Sequence, residues 1–263
     1  MMYISIVERE KGANNLQNYF EAYEEISQNT NNATLINGRY ASQTYAERFI
    51  FQDVIDKLEI NGNDTVLDIG CGAGLLTFPI ACICKKIYGI DNTSVIAKLK
   101  KGYVPDNVDF CAGDWLDIDN LVFSGGGYSK VVIYSVLQCV KDLETAFLFV
   151  DKALEGLPEN GKILIGDMPN IDKKKRFLQS VTGRLFDEAF KKEQQLAKNA
   201  EEDLQWKNMK NVQATQETLI FSDQVIQKLV KHYHDLSCDV YILPQKGYLP
   251  FGHTREDMLI IKH

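Results

Sequence analysis

The chain has 263 residues, of which 45% are hydrophobic and 25% are charged, the composition of an ordinary soluble globular protein. Its length allows one large α/β domain, either alone or with a substantial cap. The 29 basic and 36 acidic residues give a formal net charge of −7, which disfavours an electrostatic grip on long nucleic acid.

Targeting segments and metal motifs are not predicted. The N-terminal sequence MMYISIVEREKG turns charged and polar at once, unlike a signal peptide, and no apolar run is long enough to cross a bilayer. Cys82 and Cys84 form a C-x-C, but the sequence has no second closely spaced cysteine pair to complete a zinc site. The six cysteines therefore lack the spacing of zinc ligands. We therefore expect reduced thiols, no metal, no membrane partner and a cytoplasmic location.

The first part of the chain, 1–60, is polar and rich in asparagine before it becomes helical in YASQTYAERFIFQDVIDKLEI (40–60). We predict an N-terminal helical cap over 1–60, followed by the main domain over 61–263.

Short apolar runs alternate with helix-length segments from Thr65 to Asp167. The five runs are TVLDIG (65–70), KIYGID (86–91), VDFCAGD (108–114), KVVIYSVL (130–137) and GKILIGDM (161–168). Strands rich in valine and isoleucine with helices between them indicate βαβ units and a parallel sheet covered on both faces.

The rest of the chain completes this sheet. A charged, helix-favouring insertion at 171–215 follows the fifth strand and is predicted to form part of a lid over the substrate. A helix follows with Ser222 as its N-cap, and the runs CDVYIL (238–243) and DMLIIKH (257–263) are spaced to pair as an antiparallel hairpin. We predict an α/β fold with a Rossmann-like, mostly parallel seven-stranded sheet.

The loop VLDIGCGAG (66–74) carries a glycine-rich turn after the first strand. A phosphate-binding P-loop needs Lys and then Ser or Thr after its last glycine, whereas Gly74 is followed by Leu75, Leu76 and Thr77. A dinucleotide fingerprint needs its third glycine where Leu75 stands. Asp68, two residues before the first glycine, suits a ligand with an ammonium and a sulfonium better than a pyrophosphate.

VLDIGCGAG resembles the first motif of class I methyltransferases that use S-adenosylmethionine (SAM), and the later strands follow the order of that family. The resemblance implies that the glycine loop packs against the amino-acid end of SAM, with Asp68 as a polar orienter, and that Asp91, 23 residues further on, accepts hydrogen bonds from the ribose hydroxyls. AGDWLD (112–117) resembles the adenine contact. The cofactor-binding residues predicted in this way are Asp68, Gly70, Cys71, Gly72, Gly74, Asp91, Asn92, Asp114, Trp115 and Ser135, with Arg39 and Tyr40 brought over the cofactor by the N-terminal helices.

Two further comparisons narrow the acceptor. Base N-methyltransferases carry an Asn or Asp-Pro-Pro-aromatic motif at the fourth strand, where this chain has YSVLQ (134–138), so methylation of nucleic-acid bases is disfavoured. YSVLQ and TREDMLIIK (254–262) are similar to methyltransferases of bacterial surface-polysaccharide pathways.

The acceptor site is expected beyond the carboxyl ends of the strands. Its predicted substrate-binding residues are Gln138, Asp167, Tyr248 and Arg255, although Arg255 alternatively pairs with its neighbours Glu256 or Asp257. A hydroxyl acceptor needs its proton removed, and among the four histidines His253 is the predicted general base. An acceptor that is already anionic needs no base.

These features predict an enzyme that methylates an oxygen of a small molecule, such as a sugar, a nucleotide-linked precursor or a phosphoryl group, acting as a monomer or homodimer. N- or C-methylation of a small metabolite is the near alternative. A nicotinamide-dependent oxidoreductase and a non-catalytic partner subunit with the SAM fold are alternatives from other classes.

Overall fold

The computed structural model describes residues 19–119, 127–197 and 218–263. Its helices are α1 (Tyr19–Asn29), α2 (Ala33–Ile36), α3 (Thr44–Glu47), α4 (Ile50–Leu58), α5 (Thr77–Ala81), α6 (Thr93–Leu99), α7 (Leu143–Glu155), α8 (Ile171–Gln179), α9 (Val181–Ala197) and α10 (Asp223–Asp235), with 3-10 turns at Ala41–Gln43 and Leu137–Cys139. Its strands are β1 (Thr65–Ile69), β2 (Lys86–Asp91), β3 (Val108–Ala112), β4 (Lys130–Tyr134), β5 (Lys162–Pro169), β6 (Cys238–Pro244) and β7 (Arg255–Lys262).

The strands form one sheet in the order β3-β2-β1-β4-β5-β7-β6. Strands β1 to β5 pair in parallel, and β7 runs antiparallel to both β5 and β6. The predicted Rossmann-like sheet with a C-terminal antiparallel hairpin is therefore confirmed.

Successive residues of the central strands point to opposite faces of the sheet, and each face has its own core. On one face Leu67 and Val131 pack with residues of α7 and α10. On the other, Val66 and Val132 pack with residues of α4, α5 and α6. Both faces are buried, which explains why the strands are continuously apolar and not alternating.

Capping side chains begin the helices at the positions that the sequence indicates. The Ser222 hydroxyl accepts the Val225 N–H at 3.2 Å at the start of α10, as predicted. The Asp142 carboxylate accepts the Thr145 N–H at 2.8 Å at the start of α7.

The N-terminal residues from Tyr19 form short helices that lead into α4. The predicted lid begins with α8 and α9, while residues 198–215 of that prediction, like 1–18 of the predicted cap, lie outside the described residues. Among the described residues, none of the helices is both long enough and apolar enough to cross a membrane. All six cysteines are free thiols.

Candidate active site

A cavity of about 340 Å³ lies at the carboxyl ends of the parallel strands. It is bounded below by the loops after β1, β2, β3 and β4, and above by residues of α1 and of the segment between α2 and α4. The cavity thus lies at the end of an open α/β sheet where ligands bind in such folds. Of the predicted cofactor residues, those lining it are Arg39, Asp68, Gly70, Cys71, Gly72, Asp91, Asn92, Asp114, Trp115 and Ser135.

The glycine loop has a left-handed backbone. Gly70, Gly72 and Gly74 have φ values of +77°, +53° and +77°, a region that residues with a side chain rarely adopt. A Cβ on Gly70 would also lie 2.2 Å from Cγ2 of Val136. The predicted conformational reason for these glycines is therefore present in the protein itself, before any ligand is considered.

Asp68 at the end of β1 is only 2% exposed, and its Oδ2 accepts the Thr77 hydroxyl at 2.6 Å. The pKa of Asp68 is raised to about 7. Burial is the main cause, the Thr77 hydrogen bond opposes it, and the nearby charge of Asp91 adds to it. The side chain borders the cavity from a buried position, so ionisation of Asp68 depends on what enters the cavity.

Asp91 closes β2 and holds the glycine loop in place. Its Oδ2 accepts the Gly72 N–H and its Oδ1 accepts the Asn92 N–H, both at 2.7 Å. Burial raises the pKa of Asp91 to about 6, opposed by these two backbone hydrogen bonds. Each carboxylate oxygen of Asp91 accepts one backbone N–H from the described chain and still has a lone pair that can accept a ligand hydroxyl. Asn92 instead uses its Oδ1 to cap α6 by accepting the Val95 N–H at 3.0 Å.

The third strand leads to the opposite end of the cavity. Asp114 is half-buried there, and its Oδ1 accepts the Leu116 N–H at 2.9 Å. The indole of Trp115 is buried and donates to the Phe149 carbonyl at 2.8 Å. Trp115 is thus fixed as an apolar wall of the cavity.

The upper wall of the cavity comes from residues that the sequence analysis missed. Tyr19, Phe20 and Tyr23 of α1 line it, together with Asn37, whose Oδ1 accepts the Ala73 N–H of the glycine loop at 2.9 Å. The pair Tyr19 and Tyr23 recurs at helical spacing on α1, which is the one sequence signal that could have indicated this face.

The remaining wall is polar and is lined by Arg39, Glu47 and Ser135. Asp167 and Arg255 lie outside the lining and extend this group, and we call the five residues the strand-end cluster: Arg39, Glu47, Ser135, Asp167 and Arg255. The Arg39 guanidinium is buried and donates to Glu47 Oε1 at 3.2 Å and to Ser135 Oγ at 2.7 Å. Ser135 Oγ donates to Asp167 Oδ2 at 2.5 Å.

Arg255 completes the cluster from β7. Its Nη1 donates to the Asp167 carbonyl at 3.3 Å, and its Nε lies 3.7 Å from Asp167 Oδ1. The alternative pairing of Arg255 with its sequence neighbours does not occur, because Glu256 lies beside Lys173 and Asp257 pairs with Lys57. Gln138 lies next to the cluster and donates from Nε2 to the Ser135 carbonyl at 2.9 Å.

Seven predicted residues are outside the cavity lining: Gly74 of the glycine loop, Gln138, Asp167 and Arg255 at the strand-end cluster, and His253, Tyr40 and Tyr248 elsewhere. His253 is stacked on Phe177 with ring centroids 4.7 Å apart and meets the edge of Phe186 at 4.8 Å. Tyr40 packs against aromatic rings of α9 and of the loop before β7, and Tyr248 is 57% exposed. The roles assigned to His253, Tyr40 and Tyr248 stay predictions that their positions do not support.

A family model described as a methyltransferase domain matches residues 60–231, which is more than half of the chain. The chain belongs to this methyltransferase family. Its cofactor is S-adenosylmethionine, as the sequence predicted. The lone pairs left on Asp91 fit the ribose hydroxyls of that molecule, and the glycine loop fits its amino-acid end. The family match excludes the nicotinamide-dependent alternative.

The alignments with curated relatives cover only part of this chain and part of each relative. A protein-L-isoaspartate O-methyltransferase of Nitrobacter winogradskyi is 27% identical over 123 residues, which are 44% of this chain and 54% of the relative. A probable cobalt-precorrin-6B C(15)-methyltransferase (decarboxylating) of Methanococcus maripaludis is 35% identical over 94 residues, which are 32% and 51% of the two chains. The chain therefore spans about half the length of these relatives.

Solved structures of methyltransferases share the fold over nearly the whole chain. The magnesium protoporphyrin IX methyltransferase of Synechocystis PCC 6803, with bound S-adenosylhomocysteine, has a TM-score of 0.55 at 13% identity and covers 93% of this chain and 94% of its own. The N-methyltransferase NodS of Bradyrhizobium japonicum WM9, in complex with the same product, has a TM-score of 0.51 at 14% identity, covering 91% and 96%. At such identities the likeness shows a common fold.

Proposed function

We propose that this methyltransferase transfers the methyl group of SAM to an oxygen of a small molecule, such as a sugar, a nucleotide-linked precursor or a phosphoryl group. The observation that carries the proposal is the cavity itself, which α1 covers and one wall of which carries Arg39, Glu47 and Ser135 of the strand-end cluster. A cavity of about 340 Å³ is within the range of small-molecule sites. The net charge of −7 argues against a nucleic-acid substrate.

When bound, SAM supplies a methyl group on a positively charged sulfur, and its transfer is an in-line displacement. The protein contributes alignment and exclusion of water, which account for much of the acceleration of such reactions. The glycine loop and Asp91 would hold the donor. Asp114 and Trp115 would flank its adenine end, and α1 would cover the whole donor. Arg39 and Ser135 present hydrogen-bonding groups to an oxygen acceptor.

The cap and the insertion have a common role in this proposal. Tyr40 of the cap packs against Phe190 of α9, with ring centroids 6.0 Å apart. We infer that the described parts of the predicted cap and insertion, 19–60 and 171–197, close together over the acceptor. The reaction is proposed for the cytoplasm, with surface-polysaccharide biosynthesis as the setting that YSVLQ and TREDMLIIK support and with a monomer or homodimer as the active form.

The test is a screen of hydroxyl-bearing metabolites with SAM that carries a ¹³C-labelled methyl group. We expect formation of S-adenosylhomocysteine and a product heavier by one methyl, whose carbon chemical shift is that of a methyl on oxygen. A methyl shift typical of nitrogen or carbon would replace the proposal by N- or C-methylation. Binding of SAM without turnover of any acceptor class would favour a non-catalytic partner subunit.

A further inference from the structure

Two adjacent strands end in residues with an unusual backbone. Ser135 after β4 and Asp167 in β5 both have a φ of +62°, a left-handed conformation that is uncommon outside glycine. Such strained residues persist only where the surrounding structure holds them, and they concentrate at functional sites. Ser135 lines the cavity and Asp167 lies beside it, outside the lining, and their side chains are joined by a hydrogen bond of 2.5 Å.

Hydrogen bonds from neighbouring strands hold both residues. The Ser135 N–H donates to the Gly166 carbonyl at 3.1 Å. Pairing of β5 with β7 is interrupted between Ile165 and Met168, and in this gap the Asp167 N–H donates to Oδ1 of Asp257 at 2.8 Å. A side-chain carboxylate therefore takes the place of a ladder carbonyl and keeps Asp167 turned toward Ser135.

The hydroxyl of Ser135 has one hydrogen-bonding position left for a ligand. It donates its proton to Asp167 Oδ2 and accepts from Arg39 Nη2 at 2.7 Å, and a serine oxygen has two lone pairs. Ser135 is half-buried and lines the cavity, whereas Asp167 is only 3% exposed and lies behind it. Arg39, which also lines the cavity, has its Nη2 3.8 Å from the same Asp167 Oδ2, so Ser135 is the proton-carrying group between the cavity and Asp167.

Asp167 itself has capacity to take up a proton. Within the described chain its Oδ1 is a buried oxygen with no hydrogen-bond partner, 3.7 Å from Arg255 Nε. Arg39 Nε is likewise a buried donor without a partner there. Unmet hydrogen-bonding groups are costly in a protein interior, and both of these belong to residues that are hydrogen-bonded to Ser135, which lines the cavity.

We propose that Ser135 and Asp167 form a proton relay for the acceptor hydroxyl, an inference that rests on the proposed function. As the acceptor oxygen bonds to the methyl carbon, the carbon–sulfur bond breaks and its electron pair goes to sulfur. The acceptor proton passes to Ser135 Oγ and the Ser135 proton passes to Asp167 Oδ2. After the product leaves, the proton returns from Asp167 through Ser135 Oγ to solvent in the cavity. This assigns the role of base to Asp167, acting through Ser135, in place of His253, which lies between phenylalanine rings away from the cavity.

The test measures turnover, calorimetric SAM binding and thermal stability of the full chain carrying Ser135→Ala, Asp167→Asn or both. Removal of general-base catalysis costs about 10²-fold or more in kcat. We expect that loss in each single variant, with SAM affinity within a few-fold of wild type. The double variant should lose about as much as either single variant, because both residues serve one proton transfer.

Ser237→Ala is the matched control, since Ser237 also has a left-handed backbone, with φ of +60°, but is exposed after α10. Its turnover should equal that of wild type. Equal losses of SAM affinity and turnover in Ser135→Ala would overturn the relay and make Ser135 a cofactor ligand. Near wild-type turnover in Ser135→Ala, or a large loss in His253→Ala alone, would also overturn it. Failure of the proposed function would show separately, as a wild-type product methylated on nitrogen or carbon.

Discussion

At the residue scale, Asp68 shows how burial couples the cofactor site to pH. Its folded pKa of about 7 lies well above the ordinary value of about 3.9 for an unfolded chain. The free protein therefore binds more protons folded than unfolded between these values, and its stability should fall as pH rises through about 7. The free folded protein favours the protonated carboxyl of Asp68, whereas a positively charged ligand favours its ionised form.

We predict that SAM affinity rises with pH as Asp68 ionises, by up to about tenfold per pH unit below its pKa, and that binding releases protons. Calorimetry in buffers of different ionisation enthalpy measures both effects. Asp68→Asn, which keeps the shape of the side chain, should flatten the rise near pH 7. Wild-type affinity that does not change between about pH 5.5 and 8 would contradict this coupling.

The glycine loop gives a second prediction at this scale. Gly70→Ala places a Cβ at a φ of +77° and 2.2 Å from Val136, so we expect a loss of about 1–3 kcal/mol in the free energy of unfolding. Gly102→Ala is the control, because the nearest atom to its Cβ is the Leu99 carbonyl oxygen at 3.6 Å. Urea denaturation of the two variants checks the difference, and equal losses would refute the steric explanation.

At the scale of elements, α1 packs against the sheet domain mainly through α6, where the Ser94 hydroxyl donates to the Glu24 carbonyl at 3.2 Å. Its buried residues form a small cluster separate from the two main cores, and beyond it Lys98 of α6 donates to the Thr30 carbonyl at 2.5 Å. Because α1 covers the cavity and yet shares little of the main core, it can open locally while the sheet stays folded.

We predict that Ile26→Ala, in that small cluster, weakens SAM binding at least tenfold with little change in the unfolding of the main core. Ile26 is 4% exposed, whereas the control Ile83→Ala truncates a side chain that is 39% exposed. Amide hydrogen exchange should show faster exchange in 19–29 of the first variant and protection of these residues when SAM is added. Unchanged SAM affinity in Ile26→Ala would mean that α1 is not part of the site.

At the scale of the whole molecule, one buried ion pair joins the N-terminal cap to the C-terminal hairpin. Lys57 of α4 lies 2.6 Å from Asp257 of β7, and the same carboxylate accepts the Asp167 N–H behind the cavity. The side chain of Asp257 is fully buried, so its removal leaves Lys57 without this partner and the Asp167 amide unsatisfied.

We predict that Asp257→Ala lowers the free energy of unfolding by about 3–5 kcal/mol, as expected when one member of a buried pair is removed. The surface pair of Lys231 and Asp235 is the control: Asp235→Ala should cost less than about 1 kcal/mol. Guanidinium denaturation measures both variants. A similar small effect at the two positions would show that the cap and the hairpin are not coupled through Asp257.

The sequence predicted what depends on local pattern and failed where distant segments meet. The apolar runs indicated the parallel strands, and the glycine or acidic residues at their ends indicated where the site lies, because the carboxyl ends of parallel strands share one edge. The N-terminal segment was expected over the cofactor, and Arg39 does line the cavity, but Asn37 and Tyr23 were missed, since nothing local in the sequence shows which of its side chains face the glycine loop. His253 was chosen for its chemistry, but aromatic residues of the insertion surround it in the fold.

Calorimetric titration of the wild-type protein with SAM and, separately, with NADH tests the central claim most directly. The arrangement of Asp68, the glycine loop and Asp91 predicts saturable binding of SAM to one site per chain and no heat of binding with NADH. Binding of NADH without binding of SAM would contradict the account.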